Sequence, residues 1–177
     1  PSTLMDVLIP GTFIPRVMFF LANYSLFKNP ISGWVLTNTY GIPVKRKEDV
    51  SEGESRDNDK AFEESYETLE KGRVLFIAPE GVSWMNRFVR PLKTGTARIA
   101  LATEARNEGQ LGVRIIPIGL SYQAPNLFRS NMVIHIGAPI LAAQWLEDWK
   151  KMPKKTADNL TDKLEKMLQE LTIHTGD

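Results

Sequence analysis

A chain of 177 residues with 42% hydrophobic and 24% charged residues suits a single globular domain, 1–177, large enough to bury a core unaided. A net charge of +1 argues against a nucleic-acid-binding surface, so no nucleic acid partner is expected. The absence of cysteine excludes disulfides and thiolate metal sites and fits a reducing compartment, and two histidines are too few for a multi-histidine metal site, so no metal is expected.

From the amino terminus, the most apolar stretch, Val7 to Ala22, is broken by Pro10, Gly11, Pro15 and Arg16. It falls short of the roughly 18 to 20 consecutive apolar residues that span a bilayer, and no signal peptide is evident. Residues 17–22 read as a buried strand. Asn29-Pro30 starts a helix with proline at its first position, and Ile31, Trp34, Val35 and Asn38 keep helical spacing. Gly41 to Val44 is a short strand running into Lys45, Arg46 and Lys47. The acidic stretch 48–58 reads as a solvated loop. A helix over about 58–71 carries Phe62, Tyr66 and Leu69 on one face, and Gly72 closes it.

Strand 73–78 follows, and beyond it Thr94, Gly95 and Thr96 open a helix with Ala97, Ala100, Leu101 and Ala105 on one face. Val113 to Gly119 reads as a buried strand interrupted by Pro117, and Met132 to Ile136 as another. The carboxyl-terminal segment is helical, with Leu160, Leu164, Met167, Leu168 and Leu171 aligned. Strands alternating with helices predict an α/β fold, a layered domain with a largely parallel central sheet flanked by helices. No G-x-G-x-x-G follows a strand, so a dinucleotide site is not expected.

The chemistry concentrates after the strand at 74–78. Pro79, Glu80 and Gly81, followed by Ser83, deliver a carboxylate, a glycine and a hydroxyl beyond a strand's carboxyl end, where open α/β sheets bind ligands. Between Lys71 and Arg98 there are six basic residues and one acid, Glu80, whereas Lys47 to Glu70 holds ten acids and three bases. A lone acid in a basic loop with Arg87, Arg90 and Lys93 suggests an anionic substrate, a phosphate. Thr94 to Thr96 at a helix start offers backbone N–H groups, a generic anion site or an ordinary cap.

Four stretches stand in a meaningful order: Pro1 to Asp6, Gly41 to Arg46, Ile77 to Ser83 and Ile115 to Ile118. With the connectors Phe27 to Pro30 and Leu92 to Gly95, they make residues 1–140 resemble the glycerolipid acyltransferase superfamily, the PlsC-type glycerophosphate and lysophosphatidate acyltransferases. In that family an Asn-His pair precedes an Asp by several residues, so the resemblance implies a domain cut just after that pair. Residues 1–140 form the motif-bearing core and 141–177 a helical segment. Serine at position 83 and the downstream Pro91, Leu92, Lys93 and Gly95 look like the branch that includes fungal glycerol-3-phosphate and dihydroxyacetone-phosphate acyltransferases. That serine stands near where many relatives place an arginine, which shifts the phosphate contact toward Arg87, Arg90 and Lys93.

The resemblance implies roles. A hydroxyl attacks a thioester carbonyl while a histidine base takes its proton, and a carboxylate on the other ring nitrogen fixes that histidine. Asp6 is then the orienting carboxylate, although an acid there also suits a helix start. Neither His135 nor His174 stands where the motif needs a base. The chain as written is therefore expected to be nearly inactive, since losing a base costs about 10²- to 10⁴-fold. Arg46 is the phosphate residue, with Gly41 leading its strand; Glu80 and Gly81 position the acceptor. The acceptor is a glycerophosphate or lysophospholipid, first 1-acylglycerol-3-phosphate and second glycerol 3-phosphate or dihydroxyacetone phosphate, in phospholipid biosynthesis. The donor is an acyl thioester, acyl-CoA or acyl-carrier protein, with no cofactor. A non-catalytic lipid- or acyl-carrier-binding domain is the alternative of another class, and a nucleotide- or sugar-phosphate-binding protein a third.

A lipid product implies work at a membrane, on its cytoplasmic face. Trp84, Met85 and Phe88 in the basic loop, and Trp145 and Trp149 beside Lys150, Lys151, Lys154 and Lys155, have the composition of a surface-lying segment. A core-facing tryptophan pair with a solvated lysine tail has the same composition.

Overall fold

The computed structural model describes residues 15–38, 40–45, 58–80, 91–122 and 132–172. The chain divides into two compact units, one within residues 7–78 and the other beginning at Pro79.

In the first unit, β1 (Met18–Asn23), β2 (Gly41–Val44) and β3 (Val74–Phe76) form a sheet of order β2-β1-β3 in which both pairings are parallel. Helices α1 (Pro30–Asn38) and α2 (Asp59–Glu70) supply the crossovers that parallel pairing requires. Phe20 of the central strand is buried with Leu36 of α1, against Met18, Ala22, Phe27 and Phe76. The chain passes from β1 to β2 on one side and then crosses over β1 to β3 on the other, so the order reverses between β1 and β3, the arrangement that opens a crevice beyond the carboxyl ends. Asn23 pairs with Val44, so β1 and β2 end level with each other.

Both helices differ from their predicted faces in an instructive way. In α1, Gly33 and Leu36 face inward while Trp34 is 70% exposed. A side chain added at Gly33 would come within 2.5 Å of the Phe27 carbonyl, so the helix turns its smallest residue to the closest approach. In α2 the deepest residues are Ala61, Ser65 and Thr68, one position before the predicted Phe62, Tyr66 and Leu69, which flank them half-buried. Small side chains let α2 approach closely, and the Ser65 and Thr68 hydroxyls satisfy themselves on the carbonyls of Ala61 and Glu64. The predicted stop holds. Gly72 has φ of 69°, its N–H bonds to the Leu69 carbonyl, and the Arg73 N–H reaches back to that of Thr68, a Schellman closure.

The second unit is built on α3 (Gly95–Arg106) and α5 (Pro153–Leu171), with α4 (Leu146–Lys151) and a 3₁₀ turn (Ala142–Trp145) between strands and helix. Ala97, Ile99, Ala100 and Leu101 of α3 are buried, as are Ala157, Leu160 and Leu164 of α5, and the two helices pack on each other. The stretch predicted as one strand with an interruption is two strands in different ladders. β4 (Arg114–Ile115) pairs antiparallel with β7 (Ile140–Leu141), and β5 (Ile118–Tyr122) pairs antiparallel with β6 (Met132–Ile136). Pro117, which lacks an N–H, stands between them, and its carbonyl accepts from Gly137. Among the described residues no helix is long and apolar enough to cross a membrane.

Candidate functional site

The loop that carries most of the candidate residues leaves from Pro79 and returns at Lys93. The Lys93 N–H bonds to the Pro79 carbonyl at 3.0 Å, which closes the base of the loop and sets Glu80 and Lys93 beside each other in the chain path. One residue earlier, the Leu92 N–H bonds to Oε2 of Glu165 on α5 at 3.0 Å. Glu80 is half-buried and Lys93 exposed. The returning segment leads directly into α3, whose first helical bond runs from the Arg98 N–H to the Thr94 carbonyl. Thr94 makes no side-chain cap, and the Thr96 hydroxyl is buried without a hydrogen-bond partner, so the first turn is capped by neither threonine.

Asp6, Arg46, Gly81, Ser83, Arg87 and Arg90 lie outside the described residues, as do Trp84, Met85, Phe88 and His174. Gly41 is the first residue of β2, opposite Phe20. A side chain there would meet the Leu36 carbonyl at 2.9 Å and the rings of Phe27 and Phe20 at 3.2 and 3.4 Å, so packing alone demands glycine at this position. His135 sits on β6 opposite Gly119, with Nε2 buried and unpartnered. Trp145 and Trp149 are half-buried rather than displayed, and the Lys163 ammonium lies 5.7 Å from the Trp145 ring centre. The buried Leu146 beside them ties this segment into the core.

A cationic group that sequence reasoning passed over stands where β1 and β2 end. Tyr24 follows Asn23 of β1 and Lys45 follows Val44 of β2, two residues paired in register. The ammonium groups of Lys28 and Lys45 each lie 5.6 Å from the centre of the Tyr24 ring. A 3₁₀ turn over Tyr24–Phe27, capped by the Asn23 side chain on the Ser25 N–H, folds Lys28 back toward that ring. Asn58, at the capping position of α2, makes no cap. Its Oδ1 instead accepts from the Lys45 N–H at 2.9 Å and its Nδ2 donates to the Lys45 carbonyl at 3.0 Å. The sequence showed Lys45 at a strand end within the Gly41–Arg46 stretch and Lys28 within the Phe27–Pro30 connector, with nothing to bring the two together.

A hollow of about 180 Å³, bordered by Phe19, Ile42, Thr68 and Arg73, lies toward the amino ends of the strands, away from these groups. Among the described residues no cluster of three or more metal-ligating side chains occurs.

Comparison with known proteins gives the family. The acyltransferase family model matches residues 2–121. Glycerol-3-phosphate O-acyltransferase 2 of Saccharomyces cerevisiae is 31% identical over 125 residues, covering 70% of this chain and 17% of that protein. Glycerol-3-phosphate O-acyltransferase 1 of the same yeast is 32% identical over 115 residues, 63% of this chain and 15% of that protein. An uncharacterized acyltransferase of Schizosaccharomyces pombe is 29% identical over 118 residues, 66% of this chain and 17% of that protein. The chain thus spans between 15% and 17% of the length of these curated relatives. The crystal structure of the 1-acyl-sn-glycerophosphate acyltransferase PlsC from Thermotoga maritima superposes with a TM-score of 0.53 at 22% identity, covering 92% of this chain and 62% of that one, a likeness of fold. With a matched span of more than half its length, the chain belongs to the acyltransferase family, as a domain of the glycerolipid acyltransferase superfamily.

Proposed function

We propose that the protein transfers a fatty acyl group from an acyl thioester to a hydroxyl of a glycerophosphate. The observation that carries this reading is the family match over 2–121, which takes in Asp6 and the three later motif stretches in order. In the reaction the acceptor hydroxyl adds to the thioester carbonyl, a histidine takes its proton, and the thiol leaves as the ester forms. By the family's motif that histidine stands in an Asn-His pair several residues before Asp6, which orients it. Arg46 holds the phosphate, with Arg87, Arg90 or Lys93 as a second contact, and Glu80 with Gly81 and Ser83 positions the glycerol portion. The donor is acyl-CoA or acyl-carrier protein, and the enzyme works on the cytoplasmic face of a membrane.

The 31% and 32% identities to two glycerol-3-phosphate acyltransferases, with Ser83 and the Pro91-Leu92-Lys93 run, favour glycerol 3-phosphate as acceptor over 1-acylglycerol-3-phosphate. The test is a chain extended upstream through the Asn-His pair, assayed for thiol release with each acceptor. Turnover that depends on that histidine and falls at least about 10²-fold when it becomes alanine supports the reading. Acyl-thioester binding without turnover favours the non-catalytic lipid- or carrier-binding domain.

A further inference from the structure

We infer that Lys28, Lys45 and the ring of Tyr24 form an anion site for a phosphomonoester at the carboxyl ends of β1 and β2, with Asn58 as the residue that positions Lys45. The inference rests on the glycerophosphate reading and gives a role to residues that reading leaves without one, Lys45 within the Gly41–Arg46 stretch, Lys28 within the Phe27–Pro30 connector, and Tyr24 and Asn58 outside both.

Three observations carry it. First, two ammonium groups share one aromatic ring, each 5.6 Å from its centre, and so stand no further apart than twice that distance. Like charges gathered this way repel. The ring offsets part of that repulsion through its negative face, and a doubly charged anion between the ammonium groups turns it into attraction. Neither lysine is ion-paired with a described carboxylate. Second, the group stands beyond the carboxyl ends of two parallel strands, the side of an open α/β sheet on which ligands bind.

Third, Asn58 breaks a local rule. A capping asparagine contributes about 1 kcal/mol to its helix, yet here both its oxygen and its nitrogen are turned to the Lys45 main chain. That bidentate clamp sets where the Lys45 side chain begins. A helix gives up its own cap to fix the residue that follows β2, and a site that must present a charge at a defined place explains the exchange. The phenol of Tyr24 adds a hydroxyl able to donate to a phosphate oxygen.

The shared chemistry is a phosphate monoester, and it has two sources: soluble glycerol 3-phosphate, or the headgroup of phosphatidate in a membrane. The wild-type chain is titrated with glycerol 3-phosphate by calorimetry, and separately sedimented with phosphatidylcholine vesicles with and without phosphatidate. The same is done for Lys28→Gln, Lys45→Gln, Lys45→Arg and Asn58→Ala, with thermal melting as a check on folding. The expected result is about tenfold weaker glycerol 3-phosphate binding for each Lys→Gln variant, with partial retention in Lys45→Arg.

Asn58→Ala weakens binding as well, and combined with Lys45→Gln it does no further harm, because it acts through Lys45; simple additivity overturns its positioning role. Loss confined to the phosphatidate vesicles supports the site with a lipid headgroup as the source. Equal binding by wild type and both Lys→Gln variants in each arm, or no binding by wild type in either, overturns it. Because the readout is binding, wild-type binding without thioester turnover in the extended chain leaves this site standing while the enzymatic reading falls.

Discussion

Glu104 is fully buried, and both of its carboxylate oxygens are taken by main-chain N–H groups, Oε1 by Gly112 at 3.0 Å and Oε2 by Val113 at 2.6 Å. It fastens the turn after α3, where Glu108, Gly109 and Gly112 all have positive φ, to the start of β4. Glu104→Gln keeps the shape but sets an amide nitrogen against one donor, and is expected to cost about 2 kcal/mol, read as a lowered urea midpoint. The alternation of Ala97, Ala100, Leu101 and Ala105 was enough to read the apolar face of α3. An acid beside that face reads as solvated until the returning loop supplies its donors. Lys28 and Lys45 escaped for a related reason. Seventeen positions separate them, and only the register of β1 with β2 brings them to one ring.

Elements were legible where a period and a stop signal agreed. Proline at the start of α1 and Gly72 after α2 mark their ends as expected, and Gly41–Val44 is a strand with the predicted bounds. Gly72→Ala, with φ of 69°, is expected to destabilise the first unit by about 1 to 2 kcal/mol in thermal melts. The faces of α1 and α2 were harder to read, because size of side chain decided orientation more than hydrophobicity did. Large residues such as Trp34 and Tyr66 announce an apolar stripe, whereas close helix-to-sheet approach selects Gly33, Ala61 and Ser65. Trp34→Ser is accordingly expected to move the melting free energy by no more than about 0.5 kcal/mol. Leu36→Ala, in the same helix but buried, is expected to cost about 2 to 5 kcal/mol.

At the scale of the molecule, the α/β class followed from the alternation of strands and helices, and the family from motif order, in which each stretch constrains the next. Periodicity could not foretell that the chain would form two units or that β4 to β7 would pair antiparallel, since a short apolar run carries no mark of its partner. The Leu92 amide illustrates what only the folded chain reveals. Its acceptor, Glu165, lies seventy-three positions further on, and Glu165→Ala is expected to speed Leu92 amide exchange about tenfold or more without changing the global melting temperature by more than a few degrees. The match to the acyltransferase family model ends at residue 121, yet the helix that grips the returning loop runs from Pro153 to Leu171. The matched span and mechanical integrity therefore draw different borders on this chain. A fragment trimmed to the recognisable part would keep every signature and lose the brace that steadies one of them.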